Sequence, residues 1–260
     1  MAAGASVSSK AQTGAPRTKG SVFDVAIVGS GVFGAWTARH LLSRGLRVAL
    51  IDEYGPGSSR ASSGGETRVI RMGYGSQEIY TRMSWDSLTQ WRNLERATGE
   101  RLFQETGMVF LARGKDELTN DSLAVLKKAG IPHERLERKQ LVARYPQIEF
   151  GPITWALSEP KSGALFARRA VQTVVREFQK AGGEFILGQA EAPRTDAAVS
   201  SIRVGERTVR ATNFVFACGP SPCAAIRPIS SRKYSTSTAT TRRRWRTCAP
   251  RCSRRRSSTI

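Results

Sequence analysis

The stretch FDVAIVGSGVFGAWTARHLLSRGLRVALIDE, residues 23–53, decides the fold. Phe23 to Gly29 is a short apolar run of β-branched residues ending at glycine, which reads as a buried parallel strand. Val32 to Ser43 then places Ala35, Ala38, Leu41 and Leu42 on one helical face, and Gly45 stands where the helix should stop. RVALID, residues 47–52, is the second strand. Between strand and helix lies Gly29-Ser30-Gly31-Val32-Phe33-Gly34, a G-x-G-x-x-G. Alone the hexamer is weak; here it follows a strand, opens a helix and is followed by Asp52 at the end of the second strand. Gly29 permits a tight turn, Gly31 removes the Cβ that would block a pyrophosphate, and Gly34 lets the helix approach the sheet. The helix N-terminus offers N–H groups and partial positive charge to phosphates, and Asp52 can accept hydrogen bonds from ribose hydroxyls. A glycine-rich turn without a ligand is the bland alternative.

Further along, Ile79, Met83, Leu88, Trp91 and Leu94 recur at helical spacing, which predicts a long amphipathic helix over 76–98. A strand at Met108 to Ala112, a helix at Glu117 to Lys128 and a short helix at Lys139 to Arg144, stopped by Pro146, come next. A strand at Ile153 to Leu157 and a helix at Ala167 to Ala181 precede GGEFIL. Ser201 to Val204 and Arg207 to Val209 read as a hairpin around Gly205-Glu206, leading into the strand NFVFAC. The expected architecture is α/β: a Rossmann-type βαβ unit at 22–75 with inserted α+β elements interleaved over 76–212.

The chain has 260 residues, 40% of them hydrophobic, enough for one large or two modest domains, and no apolar run long enough to span a bilayer; it is expected to be soluble, with no membrane partner. Its formal charge of +20 is concentrated at the C-terminal end, where residues 227–260 hold eleven Lys or Arg and no acid. The remainder is mildly basic and makes no special case for nucleic acid. Arg, Ser and Thr dominate that final segment without any period, so 227–260 is expected to be a disordered basic tail. The four cysteines form no disulfide framework and no metal-ligand spacing, in keeping with a cytoplasmic location. Residues 1–21 read as a flexible lead; being basic and free of acids, the lead has an organelle transit function as its alternative. His40 and His133 stand apart from any plausible nucleophile and read as structural.

The fingerprint does not choose between NAD and FAD. The next loop does. SSGGETRVIRMGYG, residues 62–75, resembles the segment after the second strand in the sarcosine oxidase type of the D-amino-acid oxidase superfamily, which carries Gly, an acid, Thr-Arg, two apolar residues, Arg and Tyr-Gly. Here these are Gly65, Glu66, Thr67, Arg68, Val69, Ile70, Arg71, Tyr74 and Gly75. The likeness continues through ETGMVFLA, KSGALFARRAVQTVV and the strand ending Ala217-Cys218-Gly219-Pro220. The resemblance implies FAD as cofactor, held by Gly29, Gly31, Val32, Phe33, Gly34, Asp52, Glu53, Ser63, Thr67, Arg68 and Gly219. It implies that Arg68 lies against the isoalloxazine ring and that Arg71 grips the carboxylate of an amine or amino-acid substrate. A guanidinium fork suits that role, since it pairs bidentately with a carboxylate and keeps its proton. Two arginines three apart would otherwise read as a solvated surface pair.

The implied reaction is FAD-dependent oxidation of a C–N bond, with oxygen or another acceptor taking the electrons. A hydroxy acid or other small substrate on the same scaffold, a NAD-dependent dehydrogenase, a truncated dinucleotide-binding fragment and nucleic-acid binding through the Arg-rich tail are the competing readings. Relatives continue beyond the strand equivalent to FVFACGP with the rest of the substrate sheet and a return to the FAD domain, whereas this chain turns abruptly Arg/Ser-rich after Pro220. The C-terminal half is therefore expected to be missing, with the tail read from a shifted frame or an alternative exon; translating the DNA in the other two frames tests this.

Overall fold

The computed structural model of the chain describes residues 22–191 and 199–219, so the expected lead, the basic tail and the boundary at Pro220 lie outside the described residues. In chain order the elements begin with β1 (Phe23–Val28), α1 (Val32–Ser43), β2 (Val48–Asp52), β3 (Arg68–Ile70) and α2 (Glu78–Thr98). Next come β4 (Phe103–Glu105), β5 (Met108–Ala112), α3 (Glu117–Ala129), β6 (Glu134–Glu137) and α4 (Arg138–Arg144). The last are β7 (Trp155–Glu159), β8 (Gly163–Leu165), α5 (Ala167–Lys180), β9 (Glu184–Leu187), β10 (Ser201–Val204) and β11 (Arg207–Phe216).

One sheet has the order β10-β11-β1-β2-β9, with β11, β1, β2 and β9 mutually parallel and β10 antiparallel at the edge. Strand β1 is central because it is apolar on both faces. Val25 and Ile27 join Val48 and Leu50 against Ala35 and Ala38 of α1 and Val171, Val174 and Phe178 of α5. Ala26 and Val28, on the opposite pleat, join Ala49 and Ile51 against Ile202, Val204 and Val209 of the β10–β11 hairpin. Helix α1 ends as its sequence requires, since Gly45 has φ +84° and its N–H reaches Leu42 O at 2.9 Å.

Two three-stranded antiparallel sheets complete the fold, in the orders β3-β8-β4 and β5-β7-β6. They interleave with the parallel sheet along the chain. Strands β9 and β10 and most of β11 fall within 76–212 yet hydrogen-bond into the parallel sheet, while β3, within 22–75, belongs to an antiparallel one.

Several elements differ from their sequence readings. Strands β3, β4, β6 and β8 have three or four residues each, too short to show a period, and were not anticipated. The expected strand at 153–157 lies at Trp155–Glu159, because Ile153 N–H closes a turn onto Phe150 O instead of entering the ladder. The hairpin arm at 207–209 and the strand NFVFAC are one continuous strand, and Cys218 lies two residues beyond its end.

Candidate functional site

The turn from β1 into α1 is built by close backbone approach. Gly29 has φ +107°, and a Cβ there would lie 2.5 Å from the carbonyl oxygen of Ala217, just past β11. A Cβ on Gly34 would lie 1.8 Å from Gly29 O, so helix and turn touch only because that position is bare. Gly31 differs: its φ is −64°, and an added Cβ would meet nothing closer than Ser63 Oγ at 3.4 Å. Protein packing therefore requires glycine at 29 and 34 but not at 31. The space in front of Gly31 is a cradle that a side chain would begin to fill.

Around this cradle the first turn of α1 presents Val32, Phe33 and Gly34, ahead of the first intrahelical bond from Ala35 N–H to Gly31 O. Ser63, buried in the loop after β2, accepts a hydrogen bond from Val32 N–H at 3.1 Å, which leaves its hydroxyl proton free to donate. Phe33 is 82% exposed at the mouth. The hydroxyl of Ser30 is buried, with no hydrogen-bond partner among the described residues.

Asp52 serves the backbone first. One carboxylate oxygen accepts Ser30 N–H at 2.6 Å and the other accepts Tyr54 and Gly55 N–H, both at 2.9 Å. The acid thus ties the glycine turn to the end of β2, and of its roughly four lone-pair directions about one is left for a ribose hydroxyl. The neighbouring Tyr54 hydroxyl accepts a hydrogen bond from Arg60 Nη1 at 2.8 Å, and its pKa is raised, chiefly by the Glu53 carboxylate beside it. Gly219, three residues past the end of β11, has φ +66°, and the residue of that segment that meets the turn is Ala217, against Gly29.

The loop carrying Ser63 is pinned to the start of α5. Ala167 N–H donates to Glu66 O at 2.9 Å, Arg168 N–H to Gly65 O at 3.2 Å and the Arg168 Nε–H to Gly64 O at 3.0 Å. Arg68 folds back over this loop, donating to Thr67 O at 2.7 Å and to Ser62 O, and stays exposed. Arg71 lies one residue past β3, half-buried, its guanidinium carbon 4.9 Å from the Tyr74 ring centroid and 5.5 Å from that of Phe110. Tyr80 on α2 approaches Tyr74 at 6.0 Å between centroids, so Tyr74 has an aromatic neighbour as well as the arginine.

His40 stacks on Trp36 at 5.3 Å, and His133 Nδ1 lies 2.7 Å from Ile131 O. Sequence reasoning missed Phe110 and the buried Glu159 at the end of β7, which accepts Met72 N–H at 2.8 Å. Neither carries a sequence signal of its own: Glu159 is a single acid at the end of WALSE, just before Pro160. Among the described residues no group of three His, Cys, Asp or Glu could hold a metal, and no helix is long and apolar enough to cross a membrane.

Comparison with known proteins places this geometry. The family described as DAO, FAD dependent oxidoreductase, matches residues 24–255. The peroxisomal sarcosine oxidase of Homo sapiens is 26% identical over 208 residues, covering 80% of this chain and 53% of that protein. A monomeric sarcosine oxidase of a Bacillus species is 31% identical over 166 residues, 64% of this chain and 43% of the relative. Among solved structures, the L-proline dehydrogenase of P. horikoshii shares the fold with a TM-score of 0.65 at 17% identity, over 75% of this chain and 52% of that one. The chain spans about half the length of the curated relatives it matches.

Proposed function

The chain belongs to the family of FAD dependent oxidoreductases, and from that premise we propose that it binds FAD at the Gly29–Gly34 turn and oxidises the C–N bond of a secondary amine or amino acid. The observation that carries the reading is the contrast among the three glycines: at Gly29 and Gly34 a Cβ would strike backbone, whereas at Gly31, at a helix N-terminus, it would meet only Ser63 Oγ at 3.4 Å. When bound, FAD supplies the acceptor for the hydride equivalent leaving the carbon next to nitrogen. The chain's own residues bind and orient.

In this reading the N–H groups of the first turn of α1 hold the pyrophosphate. Ser63 adds a donor there, because its oxygen is already engaged by Val32 N–H. Asp52 offers its remaining lone pair to the ribose, and repels a 2′-phosphate. Glu53, Thr67 and Gly219 are proposed as further contacts to the same cofactor. Arg68, folded over the loop, gives a permanent positive charge beside the ring. Arg71 receives the substrate carboxylate in a bidentate pair; the rings of Tyr74 and Phe110 hold its guanidinium without using its N–H donors. A small amine or amino acid is the substrate, and oxygen or another acceptor takes the electrons. The names of the two sarcosine oxidase relatives support this class of substrate.

The domain roles follow: the parallel sheet, with β9, β10 and most of β11 drawn from 76–212, serves the cofactor, and the two antiparallel sheets, with β3 drawn from 22–75, serve the substrate. A cytoplasmic location is proposed, with the lead as a candidate organelle address, an alternative supported by the peroxisomal relative.

The test is titration of the full chain with FAD, read by quenching of flavin fluorescence, followed by anaerobic addition of N-methylglycine. Saturable binding that NAD does not displace, then bleaching of the yellow bands, is expected. No affinity for any adenine dinucleotide would overturn the whole reading. Binding without bleaching by an amine but with bleaching by a 2-hydroxy acid would move the chain to the alternative substrate class.

A further inference from the structure

The segment 71–75 joins β3 to α2, and side chains from other elements hold its backbone. Ser84 of α2 donates to Arg71 O, and Thr81 of α2 donates to Met72 O at 2.8 Å. Glu159 of β7 accepts Met72 N–H at 2.8 Å, and Ser122 of α3 accepts Gly75 N–H at 2.8 Å. Glu159 is the one ionisable group in this set and is 1% exposed. Its Oε2 also accepts the Ser162 hydroxyl at 2.5 Å, while its Oε1 has no hydrogen-bond partner among the described residues. That free oxygen faces Gly73: a Cβ there would lie 2.7 Å from Oε1 and 3.0 Å from the Phe110 ring. Phe110 in turn is one of the two rings against Arg71. The buried carboxylate and the Phe110 ring therefore both close on the space that a side chain at Gly73 would need, and Phe110 also faces the guanidinium.

We infer that Glu159 is a positioning residue for Arg71: by fixing Met72 N–H and packing its free oxygen on Gly73, it sets the place and direction of the guanidinium. The inference rests on the reading of Arg71 as the group that receives the substrate carboxylate. It assigns substrate recognition to a strand that does not carry the recognising side chain, and it gives Gly73 a specific reason to be glycine.

The experiment uses the full chain with Glu159→Gln, Glu159→Ala and Gly73→Ala, and has two readouts. The first is the Nε–H resonance of Arg71, displaced by ring currents of Tyr74 and Phe110, which needs neither cofactor nor activity. The second is the affinity of the FAD-loaded chain for acetate, with neutral acetamide as control. Glu159→Ala and Gly73→Ala should shift the Arg71 resonance and weaken acetate about tenfold, the order expected for losing one buried hydrogen bond, with acetamide and FAD affinities unchanged. Glu159→Gln, whose amide oxygen can still accept Met72 N–H, should keep both properties. In the Glu159→Ala background, Gly73→Ala should shift the resonance less than it does alone, because the oxygen at 2.7 Å is gone and only the Phe110 ring at 3.0 Å still meets the added Cβ. An Arg71 resonance indifferent to Glu159→Ala, or to Gly73→Ala should the first variant not fold, would overturn the inference. Acetate that fails to bind even the unaltered chain, with an Arg71 resonance that still answers to Glu159, would overturn the carboxylate reading and leave the positioning role supported.

Discussion

The glycine turn at 29–34 and the segment at 71–75 both place functional groups at the ends of strands, and they are held in opposite ways. In the turn, main chain touches main chain: Gly29 N–H reaches Ile51 O at 2.7 Å, and the missing side chains of Gly29 and Gly34 are occupied by carbonyl groups. In the second segment the backbone groups are met by the side chains of Ser84, Thr81, Glu159 and Ser122. The first region tolerates no added atom at Gly29 or Gly34. The second tolerates no lost oxygen.

The sharpest way to break this contrast lies inside the turn. Gly34→Ala should be the most damaging change, since its Cβ would fall 1.8 Å from Gly29 O, and backbone cannot step aside as a side chain can. Destabilisation of about 3 kcal/mol or more is expected, at the upper end for overpacking, read as a fall in denaturant midpoint. Gly31→Ala should separate fold from function. Its φ of −64° suits alanine and its Cβ meets only Ser63 Oγ, so the midpoint should hardly move. FAD affinity should fall about a hundredfold, about 2.7 kcal/mol, if the space is the pyrophosphate site. Equal losses of stability in the two variants would erase the distinction between packing glycine and binding glycine.

That distinction also explains what was legible in the sequence. Backbone sterics leave a mark in one dimension, because a residue without Cβ is written as glycine at fixed spacing, and Gly29, Gly31, Gly34 and Asp52 could be read together. The long helices declared themselves through period, as Leu88, Trp91 and Leu94 of α2 all reach the core. Arg68 and Arg71 were visible only through resemblance, since nothing in their spacing separates them from a surface pair. Glu159 was not visible, because its partner Met72 lies 87 residues away and a single acid in a strand carries no period. The same holds for β3, β8 and β4, which exist as strands only by pairing with one another across long separations.

The second region should fail by subtraction. Thr81→Val keeps the shape of a fully buried side chain and removes the hydroxyl that meets Met72 O. A buried carbonyl left without its donor should cost about 2 kcal/mol, and Met72 N–H should exchange faster with solvent deuterium as its neighbourhood loosens. A loss well under that, with unchanged exchange, would mean that water replaces the hydroxyl and that the segment is less dependent on side chains than its contacts imply.

The smallest effect expected reaches the same segment from a distance. Asp116 caps α3, its carboxylate accepting Thr119 N–H at 2.7 Å, and α3 carries Ser122, the acceptor for Gly75 N–H. Hydrogen bonds from Thr119 lower the pKa of Asp116 below the ordinary aspartate value in the folded chain. A depressed folded pKa means that the cap's contribution is complete above the unfolded value and is lost as pH falls through the folded one. Asp116→Ala should therefore cost about 1 kcal/mol near neutral pH, as N-cap removal does, with the group's partial exposure and salt screening keeping it no larger. The cost should shrink in acid, below the ordinary aspartate range, and Gly75 N–H should lose exchange protection over the same pH interval. A cost that stays constant from neutral to acid pH would show that the charge of the cap contributes nothing. Constant protection at Gly75 would show that α3 holds the Arg71 segment through its packing rather than through its first turn.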